Sequence, residues 1–349
     1  MHMADALLSP AVGGAMWVVA AGTIAYSSMK VKKDLDDRKV PLMGVLGAFI
    51  FAAQMINFTI PATGSSGHLG GGLLLTILLG PHAAFLTIAS VLVVQSLFFA
   101  DGGILALGCN IFNLGFFPAF IAYPFIYRGI AGSEPGKARL TAAAIIAAVV
   151  GLQLGAFSVV LETVASGISS LPFAAFVALM QPIHLAIGVV EGLVTAAVVS
   201  FVAAARPEII RGATESVSLG SLPLRNVFLS FLAATLLTGG MISWFASENP
   251  DGLEWAIAKV TGAEEVAGTE DGVHGKLAAL QEKIALLPDY SFKREAAPVE
   301  DGVAYAGEAQ AEESARLGTS VAGGVGALIC LALAFIVGFL LKRRLVGGK

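Results

Sequence analysis

The chain has 349 residues, of which 56% are hydrophobic and 13% charged, with a mean hydropathy of +0.81 and a formal net charge of −4. Soluble domains carry about a quarter charged residues, so the composition excludes an ordinary soluble fold and points to an all-α polytopic membrane protein. The net charge by itself says little, because the charges are unevenly placed, and no nucleic-acid partner is expected.

Apolar runs that can cross a hydrocarbon core of ~30 Å fall at 9–29, 41–58, 69–80, 83–100, 104–127, 139–165, 172–205, 226–246 and 319–341. The third is short and glycine-rich and stops at Gly80-Pro81, a helix break. The seventh is too long for one perpendicular span and predicts either a tilt or a separate short helix at its start. Basic residues set the orientation. With the amino terminus outside, the inner segments collect Lys30, Lys32, Lys33, Arg38, Lys39, Arg128, Lys137, Arg139, Arg206, Arg211, Arg225, Lys342, Arg343, Arg344 and Lys349. The short outer loops hold no lysine or arginine. The expected topology is nine spans, N-out and C-in. Residues 1–205 form a seven-helix unit and 206–225 a cytoplasmic linker. Residues 226–349 form a second unit, whose two transmembrane helices flank an extracytoplasmic segment at 247–318. That segment holds 15 of the 25 acidic residues and predicts short helices, one of them near Lys276–Leu287. Cys109 and Cys330 lie in apolar runs and read as packing residues.

The first two residues offer three nitrogens: the Met1 α-amine, the His2 amide nitrogen and the His2 imidazole Nδ1. Amine and amide close a five-membered chelate ring on a metal, and amide and Nδ1 a six-membered one. A late transition metal displaces the amide proton, as it lowers the pKa of bound water. A fourth in-plane nitrogen completes a square, the geometry that Ni(II) and Cu(II) favour. His68, in "NFTIPATGSSGHLGGG", is the candidate for the fourth place. Topology puts it on the side of Met1, Pro61 and Gly64 break the helix, and a loop folding back into the bundle satisfies the rule that irregular backbone at membrane depth is buried in protein. Polar residues within apolar runs include Gln54, Asn57, Gln95, Asn110, Asn113, Glu162, His184 and Glu191. They serve as interhelical hydrogen-bond partners or as groups that support or gate the site. His184 and Glu191 are seven apart and share a helix face. "GIAGSEPGKARL" at 129–140 fails the Walker A pattern, since Ala131 and Ala138 stand where glycine and Ser/Thr are needed. The chain therefore shows no ATPase motif of its own.

At these residues the chain resembles the NikM/CbiM family, the substrate-binding membrane subunits of energy-coupling-factor transporters for nickel and cobalt. The resemblance rests on Met1-His2, on "FAAQMINFTIPATGSSGHLGGGLLLTILLGP" (51–81), on "DGGILALGCNIFN" (101–113) and on "HLAIGVVEGLVTA" (184–196). It covers residues 1–205. "ENPDGLEWA" (248–256) is similar to the PDGLE signature of the NikN/CbiN companion subunit, so the chain looks like a fusion of the two. The resemblance implies Met1, His2 and His68 as metal ligands. It implies a transmembrane coupling subunit and two cytoplasmic ATPase subunits as partners, and a bacterial or archaeal cytoplasmic membrane. The chain would be a transport subunit and not an enzyme, with no cofactor beyond the transported ion. Glu254 either contacts the loop near the metal or completes a turn-and-helix-start motif.

The small residues Gly13, Gly14, Ala15, Ala20, Ala21 and Ala25 of the first span suit a sliding helix contact with a partner. The opening His2-Met3-Ala4-Asp5-Ala6 lacks the glycine usual in the family, and Asp5 is the candidate to hold the His2 ring or the amine. "QMINF" and "SSGHL", with four in-plane nitrogens, favour nickel over cobalt. Cobalt uptake is the alternative within the class, and a membrane metalloenzyme using His184 and Glu191 is the alternative outside it.

Overall fold

A computed structural model describes residues 2–33, 38–132, 135–215, 223–264, 266, 272–292 and 305–346 of the chain. Met1, one of the expected ligands, lies outside the described residues. The fold is almost wholly helical. Helix α1, Pro10–Lys33, has proline at its first position, where the missing N–H is no loss, and ends in Lys30, Lys32 and Lys33, which suit the negative end of the helix dipole. Helix α2 is Lys39–Gln54. A two-stranded antiparallel hairpin follows, β1 at Phe58–Ile60 and β2 at Ser65–Gly67, with Phe58 opposite Gly67 and Ile60 opposite Ser65.

The third apolar run holds only a short helix. It folds as α3, Gly72–Leu79, eight residues and every one of them buried. Left-handed Gly71 (φ 75°) precedes it and Gly80 (φ 80°) ends it, conformations that glycine adopts without penalty. An eight-residue helix rises only about 12 Å, so the run completes the bundle from inside.

Helix α4 is Pro81–Phe99. Helix α5, Leu107–Ala131, widens into π turns over Phe112–Tyr127, where Pro118 and Pro124 withhold backbone donors. Helices α6, Lys137–Ser166, and α7, Phe173–Ala205, pack closely along their length, helped by Gly188, where a Cβ would stand 2.9 Å from Val149 Cα. The seventh run is thus one unbroken helix of 33 residues, without a separate leading helix. Residues 1–205 give seven helices, the third of them short.

After α8, Pro207–Glu215, the second unit contributes α9, Arg225–Gly240, and α12, Tyr305–Val346. These two cross at Gly239 and Gly323 and pack on α2, where Gly44 admits Leu331. Between them stand α10, Gly252–Thr261, and α11, Gly272–Ile284, the latter overlapping the helix expected near Lys276–Leu287. Among the described residues, six helices are long and apolar enough to cross a membrane: α1, α4, α5, α6, α7 and the Ser314–Leu341 part of α12. Apolar α2, at 16 residues, is shorter. Cys109 and Cys330 are both buried and unpaired by any disulfide, as packing residues are.

Candidate metal centre

The amino-terminal segment lies in a groove made by residues 101–110. Asn110 grips the Met3 backbone from both sides: Met3 N donates to Asn110 Oδ1 at 2.8 Å, and Asn110 Nδ2 donates to Met3 O at 3.2 Å. Gly103 N donates to the same carbonyl at 2.9 Å. Among the described residues, Asp5 makes its contacts away from the His2 ring. Its Oδ1 accepts from Ala106 N at 2.9 Å, fastening the segment to the start of α5. The carboxylate beside the His2 ring is that of Asp101, whose Oδ1 is 3.2 Å from His2 Nδ1. Tyr290 donates its phenol O–H to Asp101 Oδ2, and Gln95 Nε2 donates to the phenol oxygen at 3.3 Å.

His68 enters from the opposite wall. Its ring stacks on that of His2, centroids 4.9 Å apart and planes at 16°. Its Nδ1 lies 3.1 Å from the carbonyl of Leu69, which turns Nε2 toward the site. Burial pushes both imidazoles down, each to about 3, so both rings are neutral. Neutral imidazole is the metal-binding form. His2 Nε2 is buried and makes no hydrogen bond among the described residues. For Nδ1 to join a chelate with the His2 amide, the ring must exchange Asp101 for the metal.

The extended stretch after His68 is tied down from two helices. Gly70 N and Gly71 N donate to Glu191 Oε2 and Oε1, at 2.8 and 3.2 Å. Gln54 Nε2 donates to Gly70 O at 2.9 Å. Irregular backbone inside the bundle thereby keeps its hydrogen bonds, as an apolar surrounding demands. His184, on the same face of α7 as Glu191, is buried, with Nδ1 2.8 Å from Met180 O and Nε2 without a hydrogen bond among the described residues. It lines a small cavity with Gly67, His68, Gly70 and Asp251. Asn57 contributes its carbonyl, which accepts from Ser247 N at 2.7 Å. The structure thus gathers His2, His68, Gln54, Glu191 and His184 around one loop, while Asp5 and Asn57 act at its edges.

The second unit reaches both imidazoles. Ser66 N donates to Pro250 O at 2.8 Å and Ser66 Oγ to Asn249 O at 2.7 Å, so the PDGLE segment lies along β2. Trp255 Nε1 donates to Thr63 O at 3.0 Å. Asp251 caps α10 and brings Oδ2 to 3.9 Å from His68 Nε2. Glu254 completes the capping box by accepting from Asp251 N at 2.8 Å, the helix-start role of the two open to it. Tyr290 bears on His2 through Asp101. Above the two rings is a cavity of about 530 Å³ whose walls include Asp5, Asp101, Asp251, Glu254, Glu264 and Asp289, with no lysine or arginine among the described residues. Sequence reasoning assigned no role to Asp101 or Tyr290. The only signal was that Asp101 opens a motif shared with the family, and Tyr290 lies 189 positions from its partner.

Comparison with known proteins agrees with this architecture. Residues 2–209 match the family described as the cobalt uptake substrate-specific transmembrane region, CbiM, and residues 225–343 match the PDGLE domain. A protein of Archaeoglobus fulgidus named as a fused nickel transport protein NikMN is 34% identical over 96% of this chain and 97% of its own length. The fused nickel transport protein NikMN of Rhodobacter capsulatus is 33% identical over 60% of this chain and 64% of its own. The cobalt transport protein CbiM of Geobacter sulfurreducens is 29% identical over 76% of this chain and 78% of its own. The crystal structure of a truncated transition metal transporter superposes with a TM-score of 0.53 at 30% identity, covering 59% of this chain and 99% of that one. The chain belongs to the CbiM family of transition-metal uptake proteins, with a PDGLE domain joined to its carboxyl side.

Proposed function

We propose that the chain captures Ni²⁺ at the outer face of a cytoplasmic membrane, as the substrate-binding subunit of an ATP-driven energy-coupling-factor transporter. The observation that carries this reading is the meeting of His2 and His68, two neutral, buried, stacked imidazoles at the floor of an acidic cavity. The Met1 amine and the His2 amide nitrogen complete a four-nitrogen set with His2 Nδ1 and His68 Nε2. Such a set suits Ni(II) over Co(II), and the named nickel relatives support the same choice. Cobalt is the second reading, favoured by the description of the matching family and by the cobalt relatives. Basic residues at the other end of the bundle set the cytoplasmic side. A transmembrane coupling subunit and two ATPase subunits supply the energy.

The test is one residue added in front of Met1. It keeps every side chain and moves the amine out of the chelate. Nickel affinity and uptake should both collapse, and His68→Ala should lower affinity with the topology unchanged. Wild-type affinity in the extended chain sinks the proposed donor set.

A further inference from the structure

His184 takes no part in the tethers that hold the His68 loop, yet its ring is fixed. A carbonyl oxygen can only accept, so the 2.8 Å contact with Met180 O puts the ring proton on Nδ1. Nε2 is therefore a bare acceptor. The residue is 1% exposed, and Nε2 makes no hydrogen bond among the described residues. Buried polar atoms are seldom left in that condition.

A donor stands close to it. Gly252 is buried in the first turn of α10, where backbone N–H groups have no acceptor within the helix. Asp251 Oδ1 takes the N–H groups of Leu253 and Glu254, at 2.7 and 3.0 Å. The N–H of Gly252, one place earlier, makes no hydrogen bond among the described residues. Glycine also keeps this backbone near the ring: a Cβ would stand 3.0 Å from His184 Cε1, the carbon bonded to Nε2. Both residues line the small cavity behind the loop, with Gly67, His68 and Gly70 among its other walls. Its volume of about 10 Å³ admits one water molecule.

We propose that His184 and Gly252 bind one buried water, which donates to His184 Nε2 and accepts from Gly252 N, and that His184 is thereby a positioning residue for His68. The role given to His68 rests on the metal-uptake reading above; the water site does not. The bridge pairs an acceptor of the first unit with a donor of the second, so neither is left unpaired in the interior. It also fills the space into which Gly67 and Gly70 would otherwise sink. The His68 ring then keeps its place against His2.

The experiment uses the deuterated full-length chain in lipid nanodiscs, without metal. Nuclear Overhauser transfer from water to the Gly252 amide proton reports a long-lived water beside it. Wild type should show that transfer. His184→Phe keeps a ring without the acceptor and should lose it, and His184→Gln offers an oxygen at about the place of Nε2 and should restore it. Titration with nickel chloride should then give about tenfold weaker binding for His184→Phe, as for one buried donor left unpaired, and near-wild-type binding for His184→Gln. No transfer in wild type overturns the water site, whether or not a variant folds. Transfer that survives in His184→Phe overturns the assignment to His184. Wild-type nickel affinity in His184→Phe overturns the positioning role, and so does a loss in His184→Gln as large as in His184→Phe, which would assign the effect to ring packing. His68→Ala keeps the two readings apart: wild-type nickel affinity in that variant, with the transfer intact, removes the metal-uptake reading and leaves the water site standing.

Discussion

Glu191 holds the backbone of the His68 loop with both oxygens of a buried carboxylate. Replacing it by glutamine keeps one acceptor oxygen and turns an amide N–H₂ toward the second backbone donor. One charge-assisted hydrogen bond is lost and one buried N–H is left facing a donor. Bonds to charged groups are worth about 1.5–3 kcal/mol, so the closed loop should lose about 2 kcal/mol, which is about 30-fold in nickel affinity at about 1.4 kcal/mol per tenfold. Glu191→Ala strands both amides and should lose more. The assay is calorimetric nickel titration of the detergent-solubilised chain, with hydrogen exchange read over residues 64–72. The Gln variant should show weaker binding together with faster exchange of the Gly70 and Gly71 amides. Wild-type affinity and wild-type exchange in Glu191→Ala would refute the idea that the loop is held from α7. Weaker binding with unchanged exchange would place Glu191 in a role other than tethering.

Asn110→Ala leaves Met3 N without its acceptor while Gly103 N still serves Met3 O; one buried unpaired amide costs about 1–3 kcal/mol, so nickel affinity should fall by about fivefold to about 140-fold with the bound spectrum unchanged. The histidines also make stability pH-dependent. Burial holds the His2 and His68 rings at about 3 against an ordinary 6.5, so the unfolded chain binds more protons between those values, and their contribution, present above pH 6.5, is lost as the pH falls through the window. Glu254, pushed up to about 7 by burial and by the Asp251 charge, works in the opposite sense. The comparison to make is therefore the melting temperature of the metal-free chain at pH 7 and pH 5, with and without His68→Ala; the variant should show the smaller acid loss. Bulky residues at Ala21 and Ala25, both exposed on α1, should prevent co-purification with the coupling subunit while leaving nickel binding intact.

The apolar runs made the helices legible, because each must satisfy its own backbone in lipid whatever its neighbours are. Hydropathy located the third run but not the length of its helix, whose limits are set by the positive φ of Gly71 and Gly80. That His2 and His68 lie at the same end of the bundle was legible from topology, and their rings meet there. Asp101 was not, since nothing in the first ten residues says which carboxylate will stand beside His2. Tyr290 reaches Asp101 from a different unit, with its own φ at 57°, a left-handed conformation unusual for an aromatic residue that no local pattern announces. Asp251 and Glu254 were visible as a helix start. The reach of the second Asp251 oxygen to His68 depends on the contact between units and left no trace in local sequence.

Helix α1 is the least enclosed of the long apolar helices, with 17% of its apolar window buried and Val18, Tyr26 and Met29 turned outward. It is also the helix whose amino-terminal extension carries His2. On the proposed function, the handle that a partner subunit would grasp and the finger that would touch the ion are one continuous piece of chain. A push on α1 would then reach the cargo directly, opposed by the grip of Asn110 and Gly103 on Met3 and by the Asp5 contact with Ala106. Letting go of the metal then amounts to drawing that finger out of its groove, and no message has to cross the rest of the bundle.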